Sequence, residues 1–542
     1  MKKLYLLPLL FILGSCTITL NNSNSVDENS TNEANSTVET VSNTDKESSI
    51  DEKSTVDDST DESSSSNTGS GKIDVSFKEY YKSLVDRDNI HYSEKLVNDP
   101  NREVRQLEVW EINDTHGAFV DGEDITGITH VNRCINDNTS DPYACIKIAN
   151  GDIMQGTAFS NMLLGEPAVA ALNEMAFDAY VIGNHEFDWG IYNLAVYKDG
   201  NPDNGELDCP FLGANIVDKD GKRPDFIDPY TVVEKGDVKV GIIGIIGDGL
   251  ESSISNVSLG DYSFSSSYDA VCKYSTILKD ELHCDVIIVS VHDHNGFMNQ
   301  RYVDDNKIDL IINGHDHQYV EEEVERYDGK NVLVLESNTK NISLGKATLY
   351  LDDNKEYNHY SVFHYKPSIY DTATNMDAII NEYYKVTSVY ESTVIGHKAG
   401  GFSKEEIAIT TMNYIAEKYD CDLSVTNTGG IRATIYESDI TNGLIYEVFP
   451  FDNELYIAYL TGEEIKSAFN TGYYYNNTRI GLGRSLSLSD INYSKTYKVV
   501  CVDYVATKEY MTRFFNEEHG LVMTGDYIRD CALENIIANY ND

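Results

Sequence analysis

The chain has 542 residues, of which 89 are acidic and 42 are basic, so its net charge is −47. A surface of this sign repels phosphate backbones, which excludes a protein that binds nucleic-acid polymers or anionic membranes through bulk charge. Only 41% of the residues are hydrophobic and there is a single long apolar run, so a protein with several membrane spans is also excluded. The length corresponds to two or three domains, each able to bury a core.

The first residues have the pattern of an export signal. Two lysines precede the apolar run 4–13, which is too short to span a bilayer comfortably. The run ends at Cys16 in a Leu-Gly-Ser-Cys sequence that resembles the lipobox of bacterial lipoproteins; the alternative is an ordinary cleaved signal. The resemblance implies a signal peptide at 1–15 and a lipidated Cys16 that anchors the exported chain to the outer face of the cytoplasmic membrane or to the cell surface.

Residues 16–72 predict a disordered acidic tether rich in Ser and Thr. The segment has no aromatic residue, so no core is available to offset the entropy cost of ordering its backbone. Eight more cysteines follow it, and in an exported chain the pairs Cys134/Cys145 and Cys272/Cys284 are close enough in sequence for disulfides, with the connectivity left open. A thiolate metal site is not expected because there is no CxxC pair.

Five short apolar runs between residues 100 and 365 each end in a polar cluster. The runs are rich in Val and Ile and too short for typical helices, so they predict buried strands at 107–112, 145–149, 179–182, 286–291 and 308–312. The clusters that follow are Asn113-Asp114-Thr115-His116, Asn150-Gly151-Asp152, Gly183-Asn184-His185-Glu186-Phe187-Asp188, His292-Asp293-His294 and Gly314-His315-Asp316-His317. Ligands in open α/β sheets gather at the carboxyl ends of strands, so the clusters converge on one site if the strands are neighbours.

The side chains in these clusters predict a metal centre. Asp, His and Asn without Cys suit Zn, Mn or similar divalent ions, and seven such groups are more than one tetrahedral ion requires. Two ions about 3.5–4 Å apart that share an aspartate fit this number of ligands. A single histidine after a strand is more often a hydrogen-bonded structural residue, so the prediction depends on the order and context of all five clusters.

Taken in chain order, the clusters resemble those of the calcineurin-like metallophosphoesterases. The motifs at 184–188, 212–215 and 427–432 narrow the resemblance to the bacterial and animal 5'-nucleotidase family, from about residue 105 to 540. This resemblance implies an α/β fold: a four-layer α/β/β/α metallophosphoesterase sandwich at 100–368, a linker helix at 369–393 and a smaller C-terminal α/β substrate-binding domain at 394–542. The periodicity of apolar residues independently predicts a helix at 370–392.

The family resemblance also implies a role for each site residue. One metal ion would be held by Asp114, His116, Asp152 and His317, and the other by Asp152, Asn184, His292 and His315. His317 departs from the Gln or Asn of the best-known members but is a competent ligand, and His294 is an alternative to His292. The dyad His185 and Asp188 would stabilise the charge that develops during phosphoryl transfer; the alternative for His185 is a supporting contact to Asn184.

For the second domain, the resemblance implies four substrate-binding residues: Asn427, Arg432, Phe451 and Tyr504. The two aromatic rings would stack on a base, and ordinary core packing is their alternative role. Two departures from the family pattern weaken the inference of ribose recognition more than the inference of phosphoesterase chemistry. The arginine that the family has before the first helix of this domain is missing, and 507–510 replaces the segment whose aspartate contacts ribose hydroxyls.

The resulting expectation is a cell-surface phosphohydrolase that releases phosphate from small-molecule nucleotides with two divalent metal ions, as a 5'-nucleotidase. Alternatives with the same metal site are a 2',3'-cyclic-nucleotide phosphodiesterase/3'-nucleotidase and a nucleotide-sugar hydrolase. An alternative from another class is a surface lipoprotein that binds nucleotides or host molecules and has a vestigial site. Membrane contact is expected only through the lipid anchor, no nucleic-acid polymer is expected as a partner, and the oligomeric state is open.

Overall fold

The structure is a computed structural model that describes residues 76–541 except 123, 306 and 470–490. The expected signal peptide, Cys16 and the tether at 16–72 lie outside the described residues. All the described residues belong to a single compact unit of the chain. Within them, no helix combines the length and the apolar character that crossing a membrane would need.

The described part of the chain contains both strands and helices. The strands are β1 Gln106–Ile112, β2 Cys145–Asn150, β3 Ala179–Val181, β4 Phe211–Leu212, β5 Ile216–Asp218, β6 Ile227–Asp228, β7 Tyr230–Lys235, β8 Val238–Ile246, β9 Tyr262–Phe264, β10 Val286–His292, β11 Leu310–Ile312, β12 Val320–Glu325, β13 Asn331–Glu336, β14 Leu344–Leu351, β15 Tyr357–Tyr365, β16 Val394–His397, β17 Leu423–Val425, β18 Asp439–Thr441, β19 Glu454–Thr461, β20 Thr496–Val502 and β21 Val522–Tyr527. The helices are α1 Ser76–Ser83, α2 Ile128–Asn138, α3 Ala158–Asn161, α4 Glu166–Glu174, α5 Asn256–Leu259, α6 Ser267–Thr276, α7 Gly296–Asp305, α8 Thr374–Glu391, α9 Lys404–Lys418, α10 Asn442–Val448, α11 Gly462–Phe469, α12 Asp503–Ala506 and α13 Ile528–Asn539.

The N-terminal half is built on two stacked sheets. One has the order β15-β14-β1-β2-β3-β4-β6 and the other β12-β13-β11-β10-β8-β7. Side chains such as Leu107 and Ile148 of the first sheet and Ile242 and Ile288 of the second form one core between the sheets. Helices α2, α4 and α8 cover the outer face of the first sheet, and α6 and α7 cover that of the second. The expected four-layer α/β/β/α architecture is confirmed.

The five predicted strands that precede the polar clusters are all present, but they are not neighbours in one sheet. Strands β1, β2 and β3 pair side by side in the first sheet, whereas β10 and β11 pair in the second. The polar clusters therefore meet across the gap between two sheets instead of along one sheet edge. Strand β10 also runs one residue further than predicted and includes His292, while β11 begins only at Leu310.

The C-terminal half has its own core around the sheet β17-β20-β19-β21. Helices α9 and α13 pack on this sheet, and α9 begins at a capping box in which Ser403 and Glu406 bond each other's backbone N–H groups. Helix α8 lies between the two halves of the chain, and its side chains Met376, Ile379 and Tyr383 are buried in the N-terminal core. The second domain is thus an α/β unit, as expected.

None of the eight cysteines in the described part of the chain forms a disulfide bond. Neither of the two pairs that sequence proximity permits is therefore formed. Seven of the eight are buried and Cys272 is half-buried. They contribute to the cores as small apolar side chains.

Candidate active site

The residues predicted as metal ligands converge where β1, β2, β3, β10 and β11 end. Three groups of side chains place their ligand atoms within 4.8 Å of one another: Asp114, His116 and His317; His116, Asp152 and His185; and Asp152, His292 and His315. Asp152 belongs to two of these groups, so it is placed to be shared between two ions. The fold brings together all six of the predicted His and Asp ligands, although they are spread over about two hundred positions of the sequence.

In the first group, two imidazoles and a carboxylate face a common point. The Nε2 atom of His317 lies 3.3 Å from Oδ1 of Asp114 and 3.0 Å from Nε2 of His116. The other ring nitrogen of His116, Nδ1, is 3.0 Å from the Gln155 carbonyl oxygen. A carbonyl can only accept, so Nδ1 carries the proton and the Nε2 lone pair of His116 points at the centre.

The third group, Asp152, His292 and His315, has the same construction. The Nε2 atom of His292 lies 3.2 Å from Oδ2 of Asp152, and its Nδ1 donates to the Asn150 carbonyl at 2.9 Å. Burial by itself lowers the pKa of His292, but the Asp152 and Asp114 carboxylates and the bond to the Asn150 carbonyl together outweigh it and raise the pKa to about 10.

Each ligand carboxylate uses one oxygen for the protein and leaves the other for the site. Oδ2 of Asp114 accepts from the Asn113 side chain at 2.6 Å and from the His315 backbone at 2.8 Å. Oδ1 of Asp152 accepts from the His185 backbone at 2.8 Å. These bonds orient the carboxylates, so their second oxygens point inward.

Five buried atoms of the predicted ligands make no hydrogen bond of good geometry, although three of them lie 3.2–3.3 Å from another atom of the ligand groups. The five atoms are Oδ1 of Asp114, Oδ2 of Asp152, Oδ1 of Asn184, Nε2 of His292 and Nδ1 of His315. An unpaired buried polar atom costs about 1–3 kcal/mol, and a concentration of five in one place calls for a common partner. The atoms are oxygens and imidazole nitrogens, which are ligands of Zn, Mn and related ions. The site therefore fits divalent cations.

The backbone at the ligand positions has an unusual conformation. Asp114, His116, Asp152, His315 and His317 have positive φ angles between 47° and 80°. Residues with a Cβ rarely adopt this region, which costs about 1–3 kcal/mol each and persists where the surroundings enforce it. Five of the seven predicted ligands therefore sit on backbone whose conformation is set by the geometry of the site.

Two glycines allow the strand ends to approach each other this closely. A Cβ at Gly151 would lie 2.3 Å from Nδ1 of His292, and one at Gly183 would lie 2.4 Å from Oδ1 of Asp152. Neither distance is possible for a real side chain. Gly151 also has a φ of 76°, so an alanine there would be strained as well as crowded.

Glu186 holds the loops together, and sequence reasoning assigned it no role. Its buried carboxylate accepts from the backbone N–H groups of Asp152, Ile153 and Gly183 at 2.8–2.9 Å and from the Tyr180 hydroxyl at 2.6 Å. Four donors on one carboxylate fix the turn that presents Asp152. The sequence signal for Glu186 was its position in the Gly-Asn-His-Glu motif. A motif does not show which hydrogen-bond donors a carboxylate binds.

His185 and Asp188 form a close pair at the edge of the metal-ligand groups. Nδ1 of His185 is 2.8 Å from Oδ2 of Asp188, and Nε2 of His185 is 4.0 Å from Oδ2 of Asp152. Burial lowers the pKa of His185, but Asp188 and Asp152 together outweigh this and raise it above its ordinary value. The predicted dyad geometry is present, and the two carboxylates stabilise the charged form of the ring.

His294, the alternative to His292, lies outside all three groups. Its Nδ1 is 3.4 Å from Asp316 and its Nε2 is 3.6 Å from Glu322. The geometry favours His292 because that residue is still part of β10, so its side chain points into the gap between the sheets.

A cavity of about 290 Å³ opens over the ligand groups and is closed from the other side by the C-terminal half. All four predicted substrate residues line it: Asn427, Arg432, Phe451 and Tyr504. The Phe451 ring stacks on the His185 ring, with 5.5 Å between centroids and an interplanar angle of 17°. One face of Phe451 is therefore occupied by the dyad, and only its remaining surface is available to a ligand.

The cavity also has walls that the sequence did not predict. Ser253, Ser255 and Val257, around helix α5, line it from the N-terminal half, and Asp503 lines it from the C-terminal half. Burial raises the pKa of Asp503 to about 7. None of these residues belongs to a recognisable motif, because their position depends on how the two halves of the chain face each other.

Two family models match the chain. The calcineurin-like phosphoesterase model matches residues 107–319, and the 5'-nucleotidase C-terminal domain model matches residues 401–494. Together they cover more than half of the chain. The chain belongs to the 5'-nucleotidase family that combines these two domains. Membership of this family and the three ligand groups identify divalent metal ions as the cofactors of the site.

The chain is also similar to several known proteins. The chain is 26% identical to the cell wall protein Lmo0130 of Listeria monocytogenes over 72% of this chain and 58% of the relative. It is 26% identical to the trifunctional nucleotide phosphoesterase protein YfkN of Bacillus subtilis over 72% of this chain, but it spans only 29% of that protein. The solved structure of a 5'-nucleotidase precursor from Thermus thermophilus has the same fold, with a TM-score of 0.67 and 19% identity over 81% of this chain and 97% of that one.

Proposed function

We propose that this protein is a dinuclear metal phosphohydrolase of the cell surface that releases phosphate from nucleotides, with nucleoside 5'-monophosphates as its main substrates. The observation that carries the proposal is the set of five buried ligand atoms that make no hydrogen bond. Asp152, Asn184 and His315 line the floor of the cavity directly, and Asp114 and His292 are buried next to them. The positively charged Arg432 and the aromatic rings of Phe451 and Tyr504 line the cavity above this floor. A phosphate would face the floor, and a base would face the rings.

In this proposal Asp114, His116, Asp152 and His317 hold one ion, and Asp152, Asn184, His292 and His315 hold the other. When bound, the two ions supply Lewis acidity for the phosphoryl group and a nucleophilic water at neutral pH. They also outweigh the two ligand carboxylates, so the local field attracts an anion although the chain as a whole is strongly acidic.

The proton donor of the proposed reaction is His185. Asp188 accepts from its Nδ1 and keeps the ring charged and oriented, so that Nε2 can donate to the phosphoryl oxygens or to the leaving alcohol. Arg432 offers a guanidinium to the same anion, and Asn427 lines the cavity beside it. Stacking of a base on each aromatic ring would contribute about 1–3 kcal/mol to binding.

A substrate panel tests the proposal. AMP, ADP, 3'-AMP, 2',3'-cyclic AMP and UDP-glucose are incubated with the protein and Mn or Zn, and the products are separated by chromatography. We expect the highest kcat/KM for AMP, and none of the hydrolysis should survive a chelator. If none of the five compounds is hydrolysed with any divalent ion, the enzymatic proposal is wrong and a binding lipoprotein with a vestigial site becomes the better description.

A second candidate is a 2',3'-cyclic-nucleotide phosphodiesterase/3'-nucleotidase, or a nucleotide-sugar hydrolase, with the same metal site. It is favoured by the segment 507–510, which replaces the ribose-contacting segment of the family. The same panel separates the candidates, because a preference for 2',3'-cyclic AMP, 3'-AMP or UDP-glucose over AMP identifies this second activity.

We also propose that the chain is exported and anchored by a lipid on Cys16. The proposal is supported by the lipobox-like sequence that ends at this cysteine and by the export-signal pattern before it. Metabolic labelling with a radioactive fatty acid tests it. Label is expected on the wild type and should be lost in Cys16→Ser, whereas label retained by Cys16→Ser would rule the anchor out.

A further inference from the structure

Residues 76–90, which precede the first matched domain, form an arm that touches both halves of the chain. This N-terminal arm, residues 76–90, contains helix α1 and precedes both family-model matches. Lys78 of α1 is only 2% exposed. A lysine is almost never buried to this degree unless it is paired, so its partners show what the arm does.

One end of the arm binds the C-terminal half. Nζ of Lys78 forms an ion pair with Oδ2 of Asp452, whose other oxygen, Oδ1, binds Arg529 of α13. All three side chains are at most 6% exposed. Asp452 directly follows Phe451 in sequence and itself lines the cavity. The buried charge of Lys78 therefore acts on the loop that carries the first aromatic wall.

The same lysine also reaches the loop of the catalytic dyad. Its Nζ lies 5.2 Å from the centroid of the Trp189 ring, within the range of a cation–π contact. Trp189 follows Asp188, the partner of His185. Lys78 thus lies behind the two loops whose rings, Phe451 and His185, stack on each other in the cavity.

The other end of the arm is fastened to the N-terminal half. Arg87 donates two hydrogen bonds of 2.7 Å to the two carboxylate oxygens of Glu166, the first residue of α4. Nζ of Lys82 is 3.6 Å from the same carboxylate, whose side chain is fully buried. A bidentate arginine on a buried carboxylate is a geometrically specific attachment. The arm is therefore held by one acidic residue of each half.

We propose that Lys78 is a positioning residue of the active site, which fixes the loop 450–453 through Asp452 and so holds Phe451 against His185 in the geometry that receives the base. The kinetic part of this inference rests on the proposed function, but the structural part does not. It assigns a role in the site to a residue that neither family domain contains. It also explains why a lysine is buried between two loops that are far apart in sequence.

The test compares Lys78→Met with two matched controls in the full chain. Methionine keeps most of the length and apolar character of lysine but cannot pair with Asp452. Lys95→Met removes a half-exposed lysine that pairs with the exposed Asp208, so it controls for the loss of one positive charge. Lys82→Met loosens the arm at Glu166 without touching Asp452, so it separates the pair from the general attachment of the arm.

The kinetic measurement uses two substrates, AMP and ribose 5-phosphate, which lacks a base. Lys78→Met should raise KM for AMP about tenfold and leave KM for ribose 5-phosphate within about twofold of the wild type. Lys78→Arg, which keeps the charge, should recover most of the loss. Equal changes for the two substrates, or an unchanged KM for AMP in a folded Lys78→Met protein, would overturn the proposal.

Amide hydrogen exchange tests the structural part without any turnover. In the metal-free protein, the peptide covering residues 448–455 should exchange faster in Lys78→Met than in the wild type or Lys95→Met. If the wild type hydrolyses no nucleotide, the proposed function fails, and this measurement still decides the role of Lys78. If Lys78→Met does not fold, Lys78→Gln replaces it, and unchanged exchange at 448–455 in that variant would refute the inference.

Discussion

The floor and the walls of the cavity were built in different ways. The floor consists of side chains at five strand ends, each placed by a short local pattern in the sequence. The walls come from loops that meet only because the two halves of the chain face each other, such as 253–258 and 450–453. Glycines, strained backbone and carboxylate hydrogen bonds all fix the geometry of the floor. The positions of the walls depend on a few long-range contacts.

Substitutions in the floor and in the walls should therefore change different kinetic constants. A change in the floor alters metal binding and the chemical step, because the affected atoms have no alternative partners. A change in the walls alters KM and selectivity, because the metals and the dyad remain in place.

The shared ligand should be the most sensitive position. Asp152→Asn removes the charge from the carboxylate that belongs to two ligand groups, so kcat/KM for AMP should fall on the order of 10³-fold or more. Metal content by mass spectrometry should fall with it. Asp208→Asn, at an exposed ion pair, is the control and should keep both metals and activity. Equal turnover by Asp152→Asn and wild type would refute the metal mechanism.

Replacing the dyad histidine separates a proton donor from a metal ligand. If His185 donates a proton, His185→Gln should lower kcat about 10²- to 10⁴-fold while both metal ions stay bound. Asp188→Asn should lower kcat in the same direction with metal content unchanged. Loss of one metal ion from His185→Gln would show instead that the group of His116, Asp152 and His185 is itself a ligand set.

Two glycines with similar backbone provide a matched pair. Gly151 and Gly329 have φ angles of 76° and 81°, but only Gly151 would place a Cβ against His292, whereas Gly329 faces open space. Gly329→Ala should cost only about 1 kcal/mol of unfolding free energy and keep full activity. Gly151→Ala should cost about 2–5 kcal/mol and lower kcat/KM about 10²-fold. Similar results for both would mean that crowding at the strand ends is unimportant.

The smallest effect is expected at the walls. Tyr504→Leu removes an aromatic face from the cavity, so KM for AMP should rise about tenfold, in keeping with about 1–3 kcal/mol per stacked base. The value of kcat should stay within about twofold. Tyr436→Leu, at an exposed tyrosine outside the cavity, should change neither constant. A large fall in kcat for Tyr504→Leu would break the proposed division between floor and walls.

Much of the floor could be predicted because its signals are local. An apolar run followed by Asp, His or Asn predicts both a strand and the end at which its ligands lie, and this holds for β1, β2, β3, β10 and β11. The pairing of these strands in two sheets was not predictable, because a buried strand has the same pattern in either sheet. The choice between His292 and His294 likewise depended on where β10 ends.

Little about the walls and the arm could be predicted from the sequence. Lys78 and Asp452 are 374 residues apart, and no local pattern in the sequence indicates that they pair. Glu186 stood inside a recognised motif, yet its four donors became visible only when the turn around Asp152 was folded. The positive φ angles of five ligands could not be predicted from the sequence either, since the surroundings can force any residue type into the left-handed region.

Local sequence patterns were sufficient to predict the family, the α/β layers and the chemical type of the metal ligands, because hydrophobic periodicity and residue type act over a few neighbouring positions. The folded chain was needed to show that two stacked sheets share one site, that Glu186 fixes the turn around Asp152, and that the N-terminal arm places Lys78 behind the cavity. These features depend on the burial of charges between distant segments. Burial is a property of the whole fold, and no local stretch of sequence encodes it.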